Sequence, residues 1–217
     1  MPKLDDVTAK PVDAALLGKT VVLKLNGGLG TSMGLDYAKS LLKVKGADTF
    51  LDLTAKQIMA MRAELNTKVR FVLMNSFATS ADTMAFFKEN YPVLYADPDL
   101  EFVQNKVPKI RRDDFAPALW PAKPSVEWCP PGHGDLYAAL LGSGKLDSLL
   151  AQGCKYLFVS NSDNLGATLD TKLLSYFAAS GAPFMMECCE RTANDKKGGH
   201  LAVRAKDGQL VLREAAQ

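Results

Sequence analysis

The fold is decided by residues 21–34, which read VVLKLNGGLGTSMG. The apolar start of this stretch is typical of a short buried strand. Four glycines follow within eight residues, and glycine allows positive φ angles and a close approach of the backbone to a bulky group. A helix-like pattern of apolar residues, at positions 41, 42 and 44, begins after Lys39 and Ser40. The order strand, glycine loop, helix predicts backbone N–H groups and a helix N-terminus that point at phosphate.

Two familiar phosphate-binding loops do not fit this stretch. A Walker loop requires a lysine directly after its last glycine, and Leu35 follows Gly34 instead. The dinucleotide fingerprint Gly-x-Gly-x-x-Gly is missed by one residue, because Met33 stands where its third glycine would fall. A third kind of phosphate loop is therefore predicted, and an ordinary glycine-rich turn remains the alternative.

Length and composition are those of a globular chain. The 217 residues are 47% hydrophobic and 23% charged, which suits one domain or at most two. The net charge of +2 predicts neither a nucleic-acid nor a membrane partner. No Cys-x-x-Cys occurs and the two histidines, His133 and His200, lie far apart, so no zinc site is expected. Residues 1–10 lack an apolar signal core, and we expect a cytoplasmic protein.

Apolar runs and helical spacing alternate along the chain. Strands are predicted at residues 21–25, 69–74, 101–104, 156–160 and 183–189, the last with Cys188 and Cys189 packed inside it. Helices are predicted at residues 49–65, 79–90, 136–140, 146–151 and 171–180, the second of them capped by Thr79. Residues 200–214 are typical of a hairpin, and residues 105–131 of a long irregular loop. The alternation predicts an α/β fold with an open, largely parallel, Rossmann-like sheet, helices on both faces and a C-terminal hairpin.

Polar residues collect where the predicted strands end. They lie at residues 26–34, at Met74 and Asn75, at Gln104 and at residues 161–163. A fifth candidate is the loop at residues 130–135, PPGHGD. Ligands of open α/β sheets bind outside the carboxyl ends of the strands, so these segments predict one shared site.

Each segment has a chemical interpretation. The backbones of Gly27, Gly28 and Gly30 would let N–H groups reach a triphosphate, and Lys39 would offset its charge. A surface lysine on a helix is the alternative for Lys39.

The other strand ends carry a recognition group and a metal ligand. Gln104 offers a donor and an acceptor, which suit the imide edge of uracil. Asp163 follows a buried strand among small polar residues, a common way to hold Mg²⁺ with one carboxylate plus substrate phosphates. His133 stands between two glycines, so a substrate can approach it closely. The alternatives are a capping aspartate and a structural histidine.

Several longer motifs, in matching order, resemble those of the eukaryotic-type UDP-glucose pyrophosphorylases (UTP–glucose-1-phosphate uridylyltransferases). They are LNGGLGTSMG at 25–34, KS at 39–40, TFLDL at 49–53, MNS at 74–76, PPGHGD at 130–135, NSDNLGA at 161–167 and KGG at 197–199. The resemblance implies a nucleotidyltransferase fold and a Mg²⁺-dependent, in-line transfer from UTP to glucose 1-phosphate. The products would be UDP-glucose and pyrophosphate. Because the attacking phosphate is already an anion, no covalent intermediate or protein base is needed.

The same resemblance implies roles for individual residues. Lys39 and Asp163 would be catalytic, and Asp163 would also bind Mg²⁺. The implied contacts to UTP come from Leu25, Asn26, Gly27, Gly28, Lys39, Gln104 and Gly132. The implied contacts to glucose 1-phosphate come from His133, Asn161, Ser162 and Asp163, with Gly198 and Gly199 beside the sugar. Gly30 and Met74 complete the predicted substrate-binding set.

Members of that family are much longer than 217 residues. We therefore expect residues 1–217 to form a nucleotidyltransferase catalytic domain that is incomplete at its C-terminus. The resemblance places further sugar contacts, a second phosphate-binding lysine and a β-helix with subunit contacts in the remaining part. This chain also departs from the family at Tyr37-Ala38, where Gly-Pro is usual, and at His200, where Thr is usual.

Three other functions stay open at this point. A chain with part of a site could bind UTP or a UDP-sugar without turnover. A pyrophosphorylase for another sugar, such as an N-acetylhexosamine, has a similar loop but a basic residue where Ser32-Met33 stand here. A dinucleotide-dependent oxidoreductase is disfavoured by the glycine spacing and by the lack of an acidic residue about 20 positions on, at the end of a second strand.

Overall fold

The computed structural model describes residues 2–8, 11–30, 33–190, 192–193 and 198–214. The chain divides into two compact units, residues 1–179 and residues 180–217. The strands are β1 (Thr20–Asn26), β2 (Lys43–Lys45), β3 (Asp48–Thr49), β4 (Arg70–Asn75), β5 (Glu101–Val103), β6 (Val107–Pro108), β7 (Trp128–Cys129), β8 (Tyr156–Asn161), β9 (His200–Val203) and β10 (Leu210–Arg213). The helices are α1 (Leu4–Thr8), α2 (Phe50–Glu64), α3 (Ser80–Asn90), α4 (Pro92–Tyr95), α5 (Leu136–Gly142), α6 (Lys145–Ala151) and α7 (Thr171–Ser180). Short 3-10 turns occupy Ala14–Lys19, Lys39–Leu41, Pro124–Glu127 and His133–Asp135.

The first unit is built on a four-stranded parallel sheet with the order β5-β4-β1-β8. Strand β1 lies inside the sheet and pairs on both sides, so that Leu25 is opposite Met74 on one neighbour and Asn161 on the other. A nearly continuous apolar sequence is what a strand covered on both faces requires. The predicted open parallel sheet is confirmed.

Helices pack on both faces of this sheet, but one face of β8 is exposed at Leu157 and Val159, so the strand before Asp163 is not fully buried as predicted. One core contains Val22 and Phe71 from the strands together with Leu51 and Ile58 from α2. The opposite core, which contains Leu23, is closed by α5 and α6. Alternate residues of a strand point to opposite faces, so neighbouring residues of β1 enter different cores.

Helix α2 begins where its sequence predicts. The Thr49 hydroxyl accepts a hydrogen bond from the Asp52 backbone N–H at 3.1 Å, and the Asp52 carboxylate accepts one from the Thr49 N–H at 2.8 Å. This reciprocal pair satisfies backbone donors that a helix start otherwise leaves free. Tyr91 adds a hydrogen bond from its hydroxyl to Asp52 at 2.8 Å, which ties the end of α3 to the start of α2.

The helix predicted after Lys39 is wrong. Residues Lys39–Leu41 form one 3-10 turn, and the chain then enters β2, which pairs antiparallel with β3. Gly46 makes the reversal between these strands with φ of 61°. The apolar run is too short to offset the cost of starting a helix. The glycine loop is therefore not followed by a helix N-terminus.

Thr79 occupies the position before α3, but the predicted side-chain cap is absent there. Its hydroxyl instead donates to the carbonyl of Asn26 at 2.8 Å and accepts from the Ser76 N–H at 2.9 Å. A threonine near a helix start thus ties the end of β1 to the chain that follows β4.

The strand predicted at residues 183–189 is also wrong. These residues adopt no strand in the structure and are all exposed, including Cys188 and Cys189. A β-forming sequence becomes a strand only when it has a neighbour to pair with. The hairpin predicted beyond them is confirmed, because β9 and β10 pair antiparallel from Val203 opposite Leu210.

The loop predicted at residues 105–131 is partly ordered. Strands β6 and β7 pair antiparallel within it, and an isolated bridge joins Ile110 to Pro117. Across the part of the chain that the structure covers, no helix is long and apolar enough to cross a membrane.

Candidate active site

An amide residue stands at the carboxyl end of each of the four central strands. Asn26 ends β1, Asn75 ends β4, Asn161 ends β8, and Gln104 directly follows β5. The sequence places these residues far apart, and the parallel sheet brings them to one edge. The predicted convergence of the polar strand ends is confirmed.

Two of these amides belong to a buried network. The Asn26 Nδ2 donates to Asn75 Oδ1 at 2.7 Å and to Thr83 Oγ1 at 3.0 Å. Asn75 donates in turn to the Glu101 carboxylate. The side chain of Asn26 is therefore held inside the protein, and it fixes the end of β1 against β4 and α3.

Gln104 is different, because the oxygen of its buried amide is unpaired within the described part of the chain. The residue is only 6% exposed, and its backbone N–H donates to the Asn75 carbonyl at 2.8 Å. Its Oε1 is buried and has no hydrogen-bond partner among the described residues. An unpaired buried acceptor is costly, so this oxygen is the expected contact of a bound donor.

Gly27 leaves the space that Gln104 occupies. A Cβ added at Gly27 would lie 2.0 Å from Gln104 Nε2. A Cβ at the neighbouring Gly28 would meet nothing within 4 Å. One glycine thus fits against the amide, and the next presents bare backbone to open space.

The glycine loop turns back on itself. The Lys39 backbone N–H donates to the Gly28 carbonyl at 3.1 Å, and Leu29 forms an antiparallel bridge with Ala38. Gly30 packs against Leu35, where a Cβ would lie 2.3 Å from the leucine side chain. The loop therefore returns Lys39 to the end of β1 without a helix.

Lys39 and Asp163, the two predicted catalytic residues, form an ion pair. The Lys39 Nζ lies 2.6 Å from Asp163 Oδ2, and the two side chains are 41% and 30% exposed. Asp163 follows β8, whereas Lys39 follows the glycine loop after β1. A cation and a carboxylate that can both reach solvent thus meet beside the same sheet edge.

Other predicted residues surround this pair. Ser162 is buried, and its N–H donates to the Leu25 carbonyl at 3.0 Å, while Asn161 is exposed. Met74 is fully buried and packs in the core that α5 and α6 close. Any ligand contact of Met74 would therefore come from its backbone.

The turn that carries His133 is fastened to the chain next to Gln104. Asp135 accepts hydrogen bonds from the Asn105 N–H at 2.7 Å and from its side-chain amide at 2.9 Å. Gly132 has φ of 110°, which favours glycine, and His133 is exposed beside it. The described contacts do not link His133 to the ion pair.

Gly198 and Gly199 belong to the second unit. Gly199 lies before β9 and packs on β10, since a Cβ there would lie 3.1 Å from the Arg213 carbonyl oxygen. Their predicted place beside the sugar stays a prediction.

The comparisons with known proteins identify the family. A family model described as UTP–glucose-1-phosphate uridylyltransferase matches residues 2–217. The chain belongs to this family. The predicted resemblance to the UTP–glucose-1-phosphate uridylyltransferases is confirmed over nearly the whole chain.

Named relatives agree with this result. The uridylyltransferase of Solanum tuberosum is 42% identical over 220 residues, which cover 99% of this chain and 45% of that protein. The UDP-glucose phosphorylase of Trypanosoma brucei is 54% identical with a TM-score of 0.94, covering 100% of this chain and 47% of its own. A mutant UDP-glucose pyrophosphorylase of Leishmania major in complex with UDP-glucose is 52% identical, with a TM-score of 0.89 and coverage of 100% and 48%. This member of the uridylyltransferase family spans about half the length of the relatives it matches.

The ligands that the candidate site offers suit Mg²⁺ in one respect. Asp163 supplies a partly exposed carboxylate, and Mg²⁺ is commonly held by one or two carboxylates together with substrate phosphates. No group of three or more His, Cys, Asp or Glu side chains that could hold a metal occurs among the described residues.

Sequence reasoning missed Lys24. This lysine lies within β1 and is only 3% exposed, and its Nζ donates to the Ala167 carbonyl at 2.9 Å. Burial lowers the pKa of its ammonium group. The available signal was one charged residue inside a strand that is otherwise apolar.

Proposed function

We propose that the chain binds UTP and serves the transfer of its uridylyl group to glucose 1-phosphate, giving UDP-glucose and pyrophosphate. Family membership supports this proposal, and so does the relative solved in complex with UDP-glucose. The observation that carries it is the unpaired amide oxygen of Gln104, whose side chain lies beside Gly27.

Gln104 is proposed to select the base. Uracil presents an N–H donor next to a carbonyl acceptor, and the Gln104 amide presents the complementary acceptor Oε1 and donor Nε2. Cytosine has an acceptor nitrogen and an amino group at the same positions, so it would oppose both groups. The backbone bond to Asn75 and the burial of the side chain keep this amide in place.

The glycine loop and Lys39 are proposed to hold the phosphates. Gly28 presents open backbone, and the return of the loop brings Lys39 to the same strand end. The lysine ammonium would neutralise phosphate charge as it develops on the leaving pyrophosphate. Mg²⁺, which Asp163 is proposed to bind, would supply further charge neutralisation.

The transfer needs positioning more than acid–base chemistry. A phosphate oxygen of glucose 1-phosphate would attack the α-phosphorus of UTP, and the bond from that phosphorus to the bridging oxygen would break. The electron pair leaves with pyrophosphate, and no proton has to move because the nucleophile is an anion. The chain's residues would contribute by holding both reactants in line.

The remaining predicted contacts belong to the same proposal. His133, Asn161 and Ser162 are assigned to glucose 1-phosphate, with Gly198 and Gly199 beside the sugar. Leu25, Asn26, Gly30 and Gly132 are assigned to UTP, and Met74 to the substrate-binding set as a whole. The cytoplasmic location stays a prediction.

A calorimetric comparison of nucleotides tests the base assignment. UTP should bind the chain about 5- to 150-fold more tightly than CTP, because a buried polar contact left unmatched costs about 1–3 kcal/mol. Gln104→Leu should remove most of this preference. Equal affinities of the unchanged chain for UTP and CTP, or tighter binding of NAD, would contradict the proposal.

Release of pyrophosphate from UTP and glucose 1-phosphate tests the transfer itself. Saturable release would support transfer by this chain. UTP binding without release would favour the alternative of a UTP-binding chain without turnover.

A further inference from the structure

Lys24 carries a charge where the fold provides no ordinary reason for one. It lies within β1, is 3% exposed, and is flanked in the sheet by Leu73 of β4 and Ser160 of β8. Transfer of an ammonium group from water into a protein interior is costly unless it gains strong partners. Its described partner is the Ala167 carbonyl at 2.9 Å.

That carbonyl belongs to the turn that follows Asp163. Residues 164–168 contain no helix or strand. A hydrogen bond from the Ala167 N–H to the Asn164 carbonyl at 3.3 Å closes the turn, and one from the Asn164 N–H to the Asn161 carbonyl at 3.2 Å joins it to the end of β8. Side chains from two regular elements anchor this turn. Lys24 holds Ala167, and Gln57 of α2 donates its Nε2 to the Leu165 carbonyl at 3.1 Å.

We propose that Lys24 is a positioning residue that fixes the turn at residues 164–168 and, through it, the carboxylate of Asp163. This inference rests on the proposed function for the metal-binding role of Asp163. Lys39 holds the carboxylate directly, and Lys24 holds the segment behind it. Hydrogen bonds from a charged donor are roughly twice as strong as neutral ones, which explains a lysine at this position.

If Lys24 served only the stability of the fold, its replacement would lower the melting temperature. Lys24→Met removes the desolvation cost of a buried ammonium group, and this gain offsets the loss of the hydrogen bond to the Ala167 carbonyl. Lys24→Met keeps most of the side-chain volume and removes the ammonium group. We therefore expect the melting temperature to be preserved while the turn loosens, so that stability and positioning separate.

Amide hydrogen exchange, measured by NMR without nucleotide or metal, tests the positioning directly. The reporters are the N–H groups of Ala167 and Thr168, which donate within the turn to Asn164 and Gly166. In Lys24→Met they should exchange at least about tenfold faster, because a charged hydrogen bond that held the turn closed is lost. Unchanged exchange at both amides would overturn the proposal.

Three further variants keep this test decisive. Lys24→Leu, which also removes the ammonium group, provides the answer if Lys24→Met does not fold. Gln57→Leu removes the second anchor and should also accelerate exchange in the turn. Lys56→Met is the matched control, because Lys56 is next to Gln57 on α2 but its side chain is 53% exposed and pairs with Asp48. In Lys56→Met, the N–H groups of Ala167 and Thr168 should exchange as they do in the unchanged chain.

The affinity of Mn²⁺ for the chain with UTP, measured by electron paramagnetic resonance, links the turn to Asp163. Lys24→Met should weaken Mn²⁺ binding several-fold, and it should cause no further loss in a chain that already carries Asp163→Asn. An equal loss in both backgrounds would show that Lys24 does not act through Asp163. Absence of any Mn²⁺ binding in the unchanged chain would contradict the proposed function, and the exchange rates would still decide the positioning.

Discussion

A single methyl group at Gly27 should disturb base recognition. Gly27→Ala places a Cβ 2.0 Å from Gln104 Nε2 and 3.1 Å from Gln104 Cδ, with Ser76 Cβ at 3.6 Å. Gly27 does not adopt a positive φ, so its backbone accepts alanine without strain. The conflict is therefore confined to the Gln104 amide.

The size of the effect follows from these distances. Ordinary van der Waals contact begins near 3.4 Å, so the amide nitrogen must move away by about 3.4 − 2.0 = 1.4 Å. A displacement of this size breaks the amide's contacts with the base, and an unmatched buried polar contact costs about 1–3 kcal/mol. We expect UTP to bind Gly27→Ala about 10- to 100-fold more weakly, and the preference for UTP over CTP to fall by a similar factor.

Calorimetric titration of UTP and CTP into each variant measures both quantities. Gly18→Ala is the matched control, because Gly18 precedes the opposite end of β1 and a Cβ there meets nothing within 4 Å. Gly18→Ala should leave both affinities unchanged. A double-mutant cycle with Gln104→Ala completes the design, since Gly27→Ala should add little once the long side chain is gone.

Two results would refute this reasoning. One is an unchanged ratio of UTP to CTP affinity in Gly27→Ala. The other is full additivity of Gly27→Ala and Gln104→Ala, which would mean that the methyl group acts on UTP without displacing the amide.

Two other predictions concern the metal and the helix start. Asp163→Asn should remove the increase in UTP affinity that Mg²⁺ causes and leave metal-free binding nearly unchanged. Calorimetric titration of UTP with and without Mg²⁺ measures both affinities. If Mg²⁺ still increases the UTP affinity of Asp163→Asn, Asp163 has a structural role instead. Burial opposes ionisation of Asp52, but hydrogen bonds from Thr49 and Tyr91 prevail and hold its pKa below the usual value. The ionised Asp52 carboxylate therefore stabilises the folded protein above a pH of about 3.9. This stabilisation is lost as the pH falls through the lowered pKa. Asp52→Asn should lower the free energy of unfolding by about 1 kcal/mol near pH 7, and denaturant titrations should find that this difference shrinks below about pH 4. A difference that does not depend on pH would contradict the role of the ionised carboxylate.

The sequence predicts the central sheet well because its signals are local. The apolar runs of β1 and β4 are nearly continuous, as burial on both faces requires, and polar residues mark where they end. The parallel arrangement then places the ends of these strands at one edge without further information.

Features that depend on distant partners could not be predicted in this way. A local apolar pattern predicts a helix after Lys39, but the chain there forms β2 and pairs with β3. Another predicts a strand at residues 183–189, which form no strand in the structure. The contact of Lys39 with Asp163 joins residues 124 positions apart. Lys24 was missed because a charged residue in a strand says nothing about the carbonyl that it reaches.

The double pairing of β1 also restricts where this chain can change its length. Val22, Lys24 and Asn26 point to the side of α2, whereas Leu23 points toward α5 and α6. Insertion or deletion of one residue within β1 would exchange these two sets, so that Lys24 would face the wrong helices and lose Ala167. The tip at Gly46 can absorb an added residue in a turn. Between the start of β1 and Gly27, by contrast, the number of residues is as constrained as their identity.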